Sequence, residues 1–282
     1  MSGELRWKVG GNVLDLTNKA MLMGVLNVTP DSFSDGGRYF DPTAAIKHGL
    51  EMVACGAAII DVGGESTRPG AQPVGPNEQI ERVRPVIEEL AKSARAHISI
   101  DTSSAEVARA AIEAGATIIN DVTAGSGDEH MFALAAETGA ALILMHMQGT
   151  PPTMQVAPAY GDVVREVAEF FRQQFAQAVR SGIDPMCTAF DPGIGFGKTL
   201  PHNLALLANL PRLRVEGRPL VVGVSRKSFL SNISGGDGNR ESATIAMTSL
   251  LRERGAQILR VHDVAPNLQA LRTTEALLAA VP

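Results

Sequence analysis

Four times along this chain a helical stretch ends in Gly-Ala and an apolar run begins at once. The copies are Cys55-Gly56-Ala57-Ala58-Ile59-Ile60-Asp61, Ala114-Gly115-Ala116-Thr117-Ile118-Ile119-Asn120, Thr138-Gly139-Ala140-Ala141-Leu142-Ile143-Leu144 and Arg254-Gly255-Ala256-Gln257-Ile258-Leu259-Arg260. Glycine at such a corner supplies the left-handed backbone that ends a helix, and the small residue after it lets the chain turn tightly into a strand. An αβ corner repeated in one chain predicts parallel strands joined by helical crossovers, because parallel neighbours cannot be joined by a hairpin.

The rest of the chain completes the pattern. Leu5–Thr17 alternates around Gly10-Gly11-Asn12 and predicts a β-hairpin plugging one end of the fold. Met21–Leu26 is an apolar run short enough for a strand buried on both faces. With the four corners, Ala96–Ile100, Cys187–Phe190 and Leu220–Val224 bring the strands to eight. Helical patterns fill the gaps at Pro42–Ala54, Asn77–Ala94, Ser104–Ala114, Glu129–Thr138, Asp162–Ser181, His202–Leu210, Glu241–Arg254 and Pro266–Ala280. Eight strands alternating with about eight helices is the count of a (β/α)8 TIM barrel; a doubly wound open sheet is the alternative. No composition shift marks a boundary, so residues 1–282 read as one α/β domain. Hydrophobic residues make up 45% of the chain and aromatics only 4%, so the core must be built from aliphatic side chains and Met.

Each apolar run stops at a polar group. In chain order these are Asn27, Asp61, Asp101, Asn120 with Asp121, His146, Asp191, Ser225-Arg226-Lys227-Ser228, and Arg260 with His262-Asp263. One Asp or Asn after a strand is commonly the N-cap of the next helix. Asp101, just before Thr102-Ser103, has that position, and Asp121, Asp263 and Arg226 read as caps or supports. Capping does not account for eight ends at once. In a parallel barrel these ends meet at one mouth, where active sites lie.

Other features exclude whole classes. A net charge of −5 leaves no basic footprint for nucleic acid, so an anionic substrate needs a local cluster of cations. Cys55 and Cys187 have neither CxxC nor zinc spacing and read as reduced packing residues. Residues 1–16 lack the apolar core of a signal peptide, and no apolar run approaches the ~18 residues of a membrane span. A cytoplasmic enzyme is the expectation.

The residue types narrow the ligand. Asp101, Asn120, Asp191 and Lys227 mix acceptors and donors as a flat heterocycle with ring N–H and carbonyl groups requires. Arg260 and His262, two apart on one strand, can both point into the mouth and suit an anion. Asn27 is a neutral oxygen ligand suited to Mg²⁺ that keeps waters and borrows phosphate oxygens. Asp191–Lys198 (DPGIGFGK) is Gly-rich without being a Walker A motif; its glycines are expected to let backbone approach a ligand. His146 reads as a satisfied mouth residue rather than a catalytic base. After strand Met21–Leu26, the acids, serines and glycines of Asn27–Gly37, with Phe33 among them, read as a long loop that closes over the site.

These residues carry a resemblance. Asn27–Gly37 (NVTPDSFSDGG), Ile60–Gly70 (IDVGGESTRPG), Ile100–Thr102 (IDT), Asn120-Asp121, Met145–Gly149 (MHMQG), Asp191–Lys198, Ser225–Ser228 (SRKS) and Arg260–Asp263 (RVHD) resemble the dihydropteroate synthase family of pterin-binding barrels. The resemblance implies joining of 6-hydroxymethyl-7,8-dihydropterin diphosphate to 4-aminobenzoate, a transfer that forms a C–N bond with loss of diphosphate in folate synthesis. It implies that Asp101, Asn120, Asp191 and Lys227 hold the pterin, that Asn27 ligates Mg²⁺, and that Arg260 and His262 bind diphosphate together with Arg68. Phe33, Thr67, Arg68, Pro69, Phe196 and Ser228 would form the 4-aminobenzoate pocket. Lys227, Arg260 and His262 would act in catalysis, and Asp35 would help stabilise a cation when its loop closes. The resemblance further implies a homodimer and inhibition by sulfonamides, which mimic 4-aminobenzoate. Two other readings stand beside it: a pterin-dependent methyltransferase barrel, which needs neither the Asn27 loop nor the anion site, and a non-catalytic pterin-binding relative.

Overall fold

In a computed structural model, residues 4–29, 42–65, 74–150, 153–236 and 240–280 are described. The chain opens with an antiparallel pair, β1 (Arg6–Val9) and β2 (Asn12–Asp15), turning at Gly10 and Gly11, both at positive φ. Then come β3 (Met21–Asn27), α1 (Pro42–Ala54), β4 (Ile59–Gly63), α2 (Pro76–Ser93), β5 (His97–Asp101), α3 (Ala105–Glu113), β6 (Ile118–Asp121), α4 (Met131–Thr138) and β7 (Ala141–Met145). The second half runs α5 (Val163–Arg180), β8 (Thr188–Asp191), α6 (Leu200–Ala208), β9 (Val221–Gly223), α7 (Ser228–Ser234), α8 (Arg240–Glu253), β10 (Ile258–Val261) and α9 (Val264–Ala279).

The eight strands β3–β10 form one parallel sheet in the order β8-β7-β6-β5-β4-β3-β10-β9. A parallel bridge from Phe190 in β8 to Leu220, just before β9, joins the two edges and closes the barrel. The open-sheet alternative is thereby set aside. At all four Gly-Ala corners the glycine adopts positive φ: Gly56 at 101°, Gly115 at 114°, Gly139 at 67° and Gly255 at 87°. Expected element ends shift by one or two residues. One helix, α7, was not expected: Ser228–Ser234 carries too short a periodic pattern to register and ends at left-handed Gly235.

The hairpin closes the N-terminal end of the barrel, as expected. Leu5, Trp7, Val9 and Leu16 are buried with Met23, Ile59, Ile118, Ala141, Ile143, Ala189, Val221 and Ile258, residues in the lower part of their strands. Trp7 Nε1 donates to the Cys187 carbonyl at 3.2 Å, so the indole is both buried and satisfied. Burying such a ring is worth about 4–6 kcal/mol of transfer free energy. A second, larger core lies between sheet and helices and is chiefly Ala, Val, Ile and Leu, with Phe171 and Phe190 among the few aromatics. Cys187 is buried as expected. Cys55 is exposed, because it follows the last turn of α1 on the outer surface.

Candidate active site

Side chains alternate along a strand, so the residues that pack on the plug fix which positions face the barrel interior. Ile59, Ile118, Val221 and Ile258 face the plug. Two residues on, Asp61, Asn120, Gly223 and Arg260 share that inner face. Register extends the rim: Asn27 pairs with Gly63, Gly63 with Asp101, and Asp101 with Asn120, one row across β3–β6. Gly63 leaves space in this row, since a Cβ there would stand 3.7 Å from Asn27 Oδ1 and 3.6 Å from Asp101 Cβ.

Four of these side chains form one network. Arg260 Nε donates to Asp61 Oδ2 at 2.7 Å and its Nη2 donates to Asp101 Oδ2 at 2.8 Å. Asn120 Nδ2 donates to the same Asp61 oxygen at 3.1 Å. Asp61 is fully buried, and its Oδ1 has no partner among the described residues. Burial raises the Asp101 carboxyl to about 7; Arg260 pulls the other way, while Asp61, Asp121 and Asp191 add repulsion. Burial opposes the charge on Arg260, yet Asp61 and Asp101 outweigh it and hold its pKa above the ordinary value.

Asp191 and Lys227 form the opposite wall. Burial pushes Asp191 up, against the pull of Lys227 and of the Gly193 N–H, which donates to Asp191 Oδ1 at 2.7 Å. Burial lowers Lys227 to about 8, with Asp191 raising it and Arg260 lowering it. Its Nζ donates to the Ile194 carbonyl and lies 4.8 Å from the centre of the Phe196 ring. His262 is anchored by Ser225 at the end of β9: the Ser225 Oγ accepts the His262 N–H at 3.2 Å and lies 3.0 Å from His262 Nδ1. Ser228 is exposed at the first turn of α7.

The expected supports behave as such. Asp121 accepts from Thr123 N–H, the Thr123 hydroxyl and Gly125 N–H, holding the turn after β6. Arg226 and Asp263 make a forked ion pair tying the loops after β9 and β10. The helix after β5 is capped by Ser104, which frees Asp101 for Arg260. His146 is satisfied: its Nδ1 faces Lys198 Nζ at 3.0 Å, and burial beside that cation lowers it to about 3. Phe33, Asp35, Thr67, Arg68 and Pro69 lie outside the described residues.

The Gly-rich loop has a packing role that its sequence did not announce. A Cβ on Gly193 would stand 2.0 Å from the His146 carbonyl oxygen, and one on Gly197 2.4 Å from the Gln148 carbonyl oxygen. Gly193 and Gly197 press the loop after β8 onto the loop after β7. Lys198, given no role from sequence, locks the contact by donating to the carbonyls of His146 at 3.1 Å and Phe196 at 2.9 Å. Burial lowers its pKa to about 7. Ser225 and the Asp61 network were also missed as partners. The available signal for Asp61 was a carboxylate at an inward position of an otherwise apolar strand.

Residues 23–262 match the model of the pterin binding enzyme family. The chain is 47% identical to the dihydropteroate synthase of Escherichia coli (strain K12) over 271 residues, which is 96% of this chain and 95% of that protein. It is similar to the Xanthomonas albilineans dihydropteroate synthase solved with 4-aminobenzoic acid, at TM-score 0.90 and 42% identity, covering 99% of this chain and 100% of the other. The same enzyme in complex with 7,8-dihydropteroate gives TM-score 0.86 at 39% identity, covering 98% and 100%. Likeness of this extent spans every strand that supplies a rim residue, from Asn27 to His262. The chain therefore belongs to the dihydropteroate synthase family, pterin-binding transferases of folate biosynthesis.

Proposed function

We propose that this mouth joins 6-hydroxymethyl-7,8-dihydropterin diphosphate to 4-aminobenzoate through the residues at its rim. The observation that carries the reading is the bonded set Asp61, Asp101, Asn120 and Arg260 facing Asp191 and Lys227. Carboxylates and an amide can accept from and donate to the edge of an aminopyrimidine ring, and Lys227 can donate to a ring carbonyl or nitrogen. Arg260 spends two of its five N–H donors on Asp61 and Asp101 among the described residues, which leaves donors for the diphosphate alongside His262. Arg68 would join them. Phe33, Thr67, Pro69, Phe196 and Ser228 would seat 4-aminobenzoate.

The reaction breaks a methylene carbon–oxygen bond, and the electron pair leaves with diphosphate. Arg260 and His262 would stabilise that leaving charge, the electron-rich ring would delocalise positive charge at carbon, and Asp35 would help stabilise that cation. The attacking nitrogen is an aromatic amine, already neutral at pH 7. It forms the C–N bond and releases its proton afterwards, so no strong general base is required.

Asn27 offers a neutral oxygen at the rim, and among the described residues no three His, Cys, Asp or Glu side chains are placed to hold a metal ion by themselves. That donor set fits a hard cation that keeps most of its water and takes further oxygens from diphosphate. Asn27 would hold Mg²⁺, which when bound would neutralise charge on the leaving group. Exposed Leu250, Leu277 and Leu278 on α8 and α9 support a homodimer through that face. No helix among the described residues is long and apolar enough to cross a membrane; a cytoplasmic location is proposed.

A coupled assay for diphosphate release tests the reading. Release is expected only with 4-aminobenzoate and Mg²⁺ both present, and competition by a sulfonamide should raise the apparent KM for 4-aminobenzoate. Release independent of 4-aminobenzoate, or pterin binding without turnover, would overturn it.

A further inference from the structure

Asp61 sits one pleat below the rim, at an inner position of β4 where its register partners are Val25 and Ser99. Two residues on, the strand places Gly63 in the rim row. No side chain on its own strand therefore stands between Asp61 and the mouth. Its Oδ2 accepts from Arg260 Nε at 2.7 Å and from Asn120 Nδ2 at 3.1 Å. An oxygen that accepts two N–H donors imposes a direction on both. The Asn120 amide has a donor end and an acceptor end, and the donor end is committed to Asp61. Its carbonyl end is thereby turned away from the floor. The guanidinium of Arg260 is held flat between Asp61 and Asp101, two points that fix its plane.

We propose that Asp61 is a positioning residue that sets the polarity of the pterin pocket from beneath. By holding the Asn120 NH₂ it makes Asn120 present an acceptor to the ligand, so that the pocket selects an N–H on the ring at that point. By holding Arg260 it aims the remaining guanidinium donors. Asp61 itself touches no reacting atom. The inference rests on the pterin reading of the mouth given above.

A swap of functional groups tests it. In Asp61→Asn two amides face each other, and Asn120 is free to turn either end to the ligand. In the double variant Asp61→Asn with Asn120→Asp, the new amide at 61 donates to the new carboxylate at 120, which still presents an acceptor to the ligand. Steady-state kinetics on the full chain should show KM for the dihydropterin diphosphate at least tenfold higher in Asp61→Asn, with KM for 4-aminobenzoate within twofold of wild type. The double variant should return the pterin KM to within about threefold. A residue needed only as counter-ion to Arg260 would not be rescued, since the swap moves the carboxylate away from Arg260 Nε. Thermal melting reports folding of each variant. Should Asp61→Asn fail to fold, Asn120→Asp alone carries the comparison: it opposes two carboxylates and should raise the pterin KM at least tenfold, again relieved in the double. An unchanged pterin KM in the single variants, or a double no better than either, overturns the proposal. Wild-type protein that makes no dihydropteroate would instead count against the functional reading itself.

Discussion

The Lys227 ammonium stands 4.8 Å from the centre of the Phe196 ring. Both belong to loops at the C-terminal ends of neighbouring strands, and burial already pulls Lys227 down to about 8. The negative face of the ring favours the charged amine, by roughly 0.5–2 kcal/mol when partly desolvated. In Phe196→Leu the apolar cover remains and that attraction is lost. Titration of Lys227 should then move down by about half to one pH unit, read as an earlier alkaline loss of pterin binding. An unmoved alkaline limb would show that the ring only covers the lysine.

The same lysine and Asp101 set the pH range of the free enzyme. An ionised Asp101 accepts ligand N–H groups, and its carboxyl titrates at about 7 because burial outweighs Arg260. A charged Lys227 donates, and it titrates at about 8. The pH dependence of kcat/KM reports groups of the free enzyme. For the pterin substrate it should rise toward pH 7 and fall above pH 8. In Lys227→Arg the fall should move beyond the accessible range, because a guanidinium stays charged. A flat profile in wild type between pH 6 and 9 would contradict both assignments.

Much of this is legible in the amino-acid sequence. The Gly-Ala corners gave the parallel barrel because each demands a left-handed residue at a fixed place, and Gly56, Gly115, Gly139 and Gly255 all supply one. Strand-end reading found Asp101, Asn120, Asp191, Lys227 and Arg260 because inner positions near the mouth have no apolar neighbours to satisfy. It did not find who bonds whom. Arg260 and Asp61 are 199 residues apart, and nothing local in either strand announces the other. The Gly-rich stretch Asp191–Lys198 shows only that backbone comes close to something. For Gly193 and Gly197 that includes the carbonyls of His146 and Gln148, a contact set by packing between loops that local sequence does not announce.

Arg260 and Asn27 should behave differently when removed, although both are assigned to the diphosphate. Arg260→Ala strands two carboxylates, one of them fully buried. Breaking a buried pair in this way costs about 3–5 kcal/mol. Asn27 is half-buried at the rim, and its loss should leave stability within about 1 kcal/mol, as for a partly exposed polar group. Both variants should weaken the diphosphate substrate far more than free pterin, but only Arg260→Ala should lower the urea midpoint markedly. Equal losses for pterin and for its diphosphate in Asn27→Ala would remove Asn27 from the diphosphate site.

Trp7 offers the opposite case, a residue that matters for the fold and not for the mouth. It is fully buried at the far end of the barrel. Replacing a buried Trp by Ala costs about 3–5 kcal/mol, which for a chain of this size lowers Tm by roughly 10 °C. KM for both substrates should stay within twofold at a temperature where the variant is folded. A large KM change with little loss of Tm would mean that the plug communicates with the rim.

His146 ties stability to acid. Its pKa falls from 6.5 in the unfolded chain to about 3 in the fold, through burial and the nearby Lys198. Between those values the unfolded chain binds a proton that the folded chain refuses. Stability from the neutral imidazole is therefore fully present above pH 6.5 and is lost as pH falls toward 3. The slope from this one group approaches 1.4 kcal/mol per pH unit in that window. Asp101 works against it, because its raised carboxyl pKa makes the folded chain hold a proton between pH 3.8 and about 7. Comparison with His146→Gln isolates the histidine: Gln can accept from Lys198 and does not titrate. Urea midpoints measured from pH 7 to pH 4 should fall more steeply in wild type than in His146→Gln. Parallel curves would mean that His146 is charged in the folded protein, and the Lys198 contact as described would then be untenable.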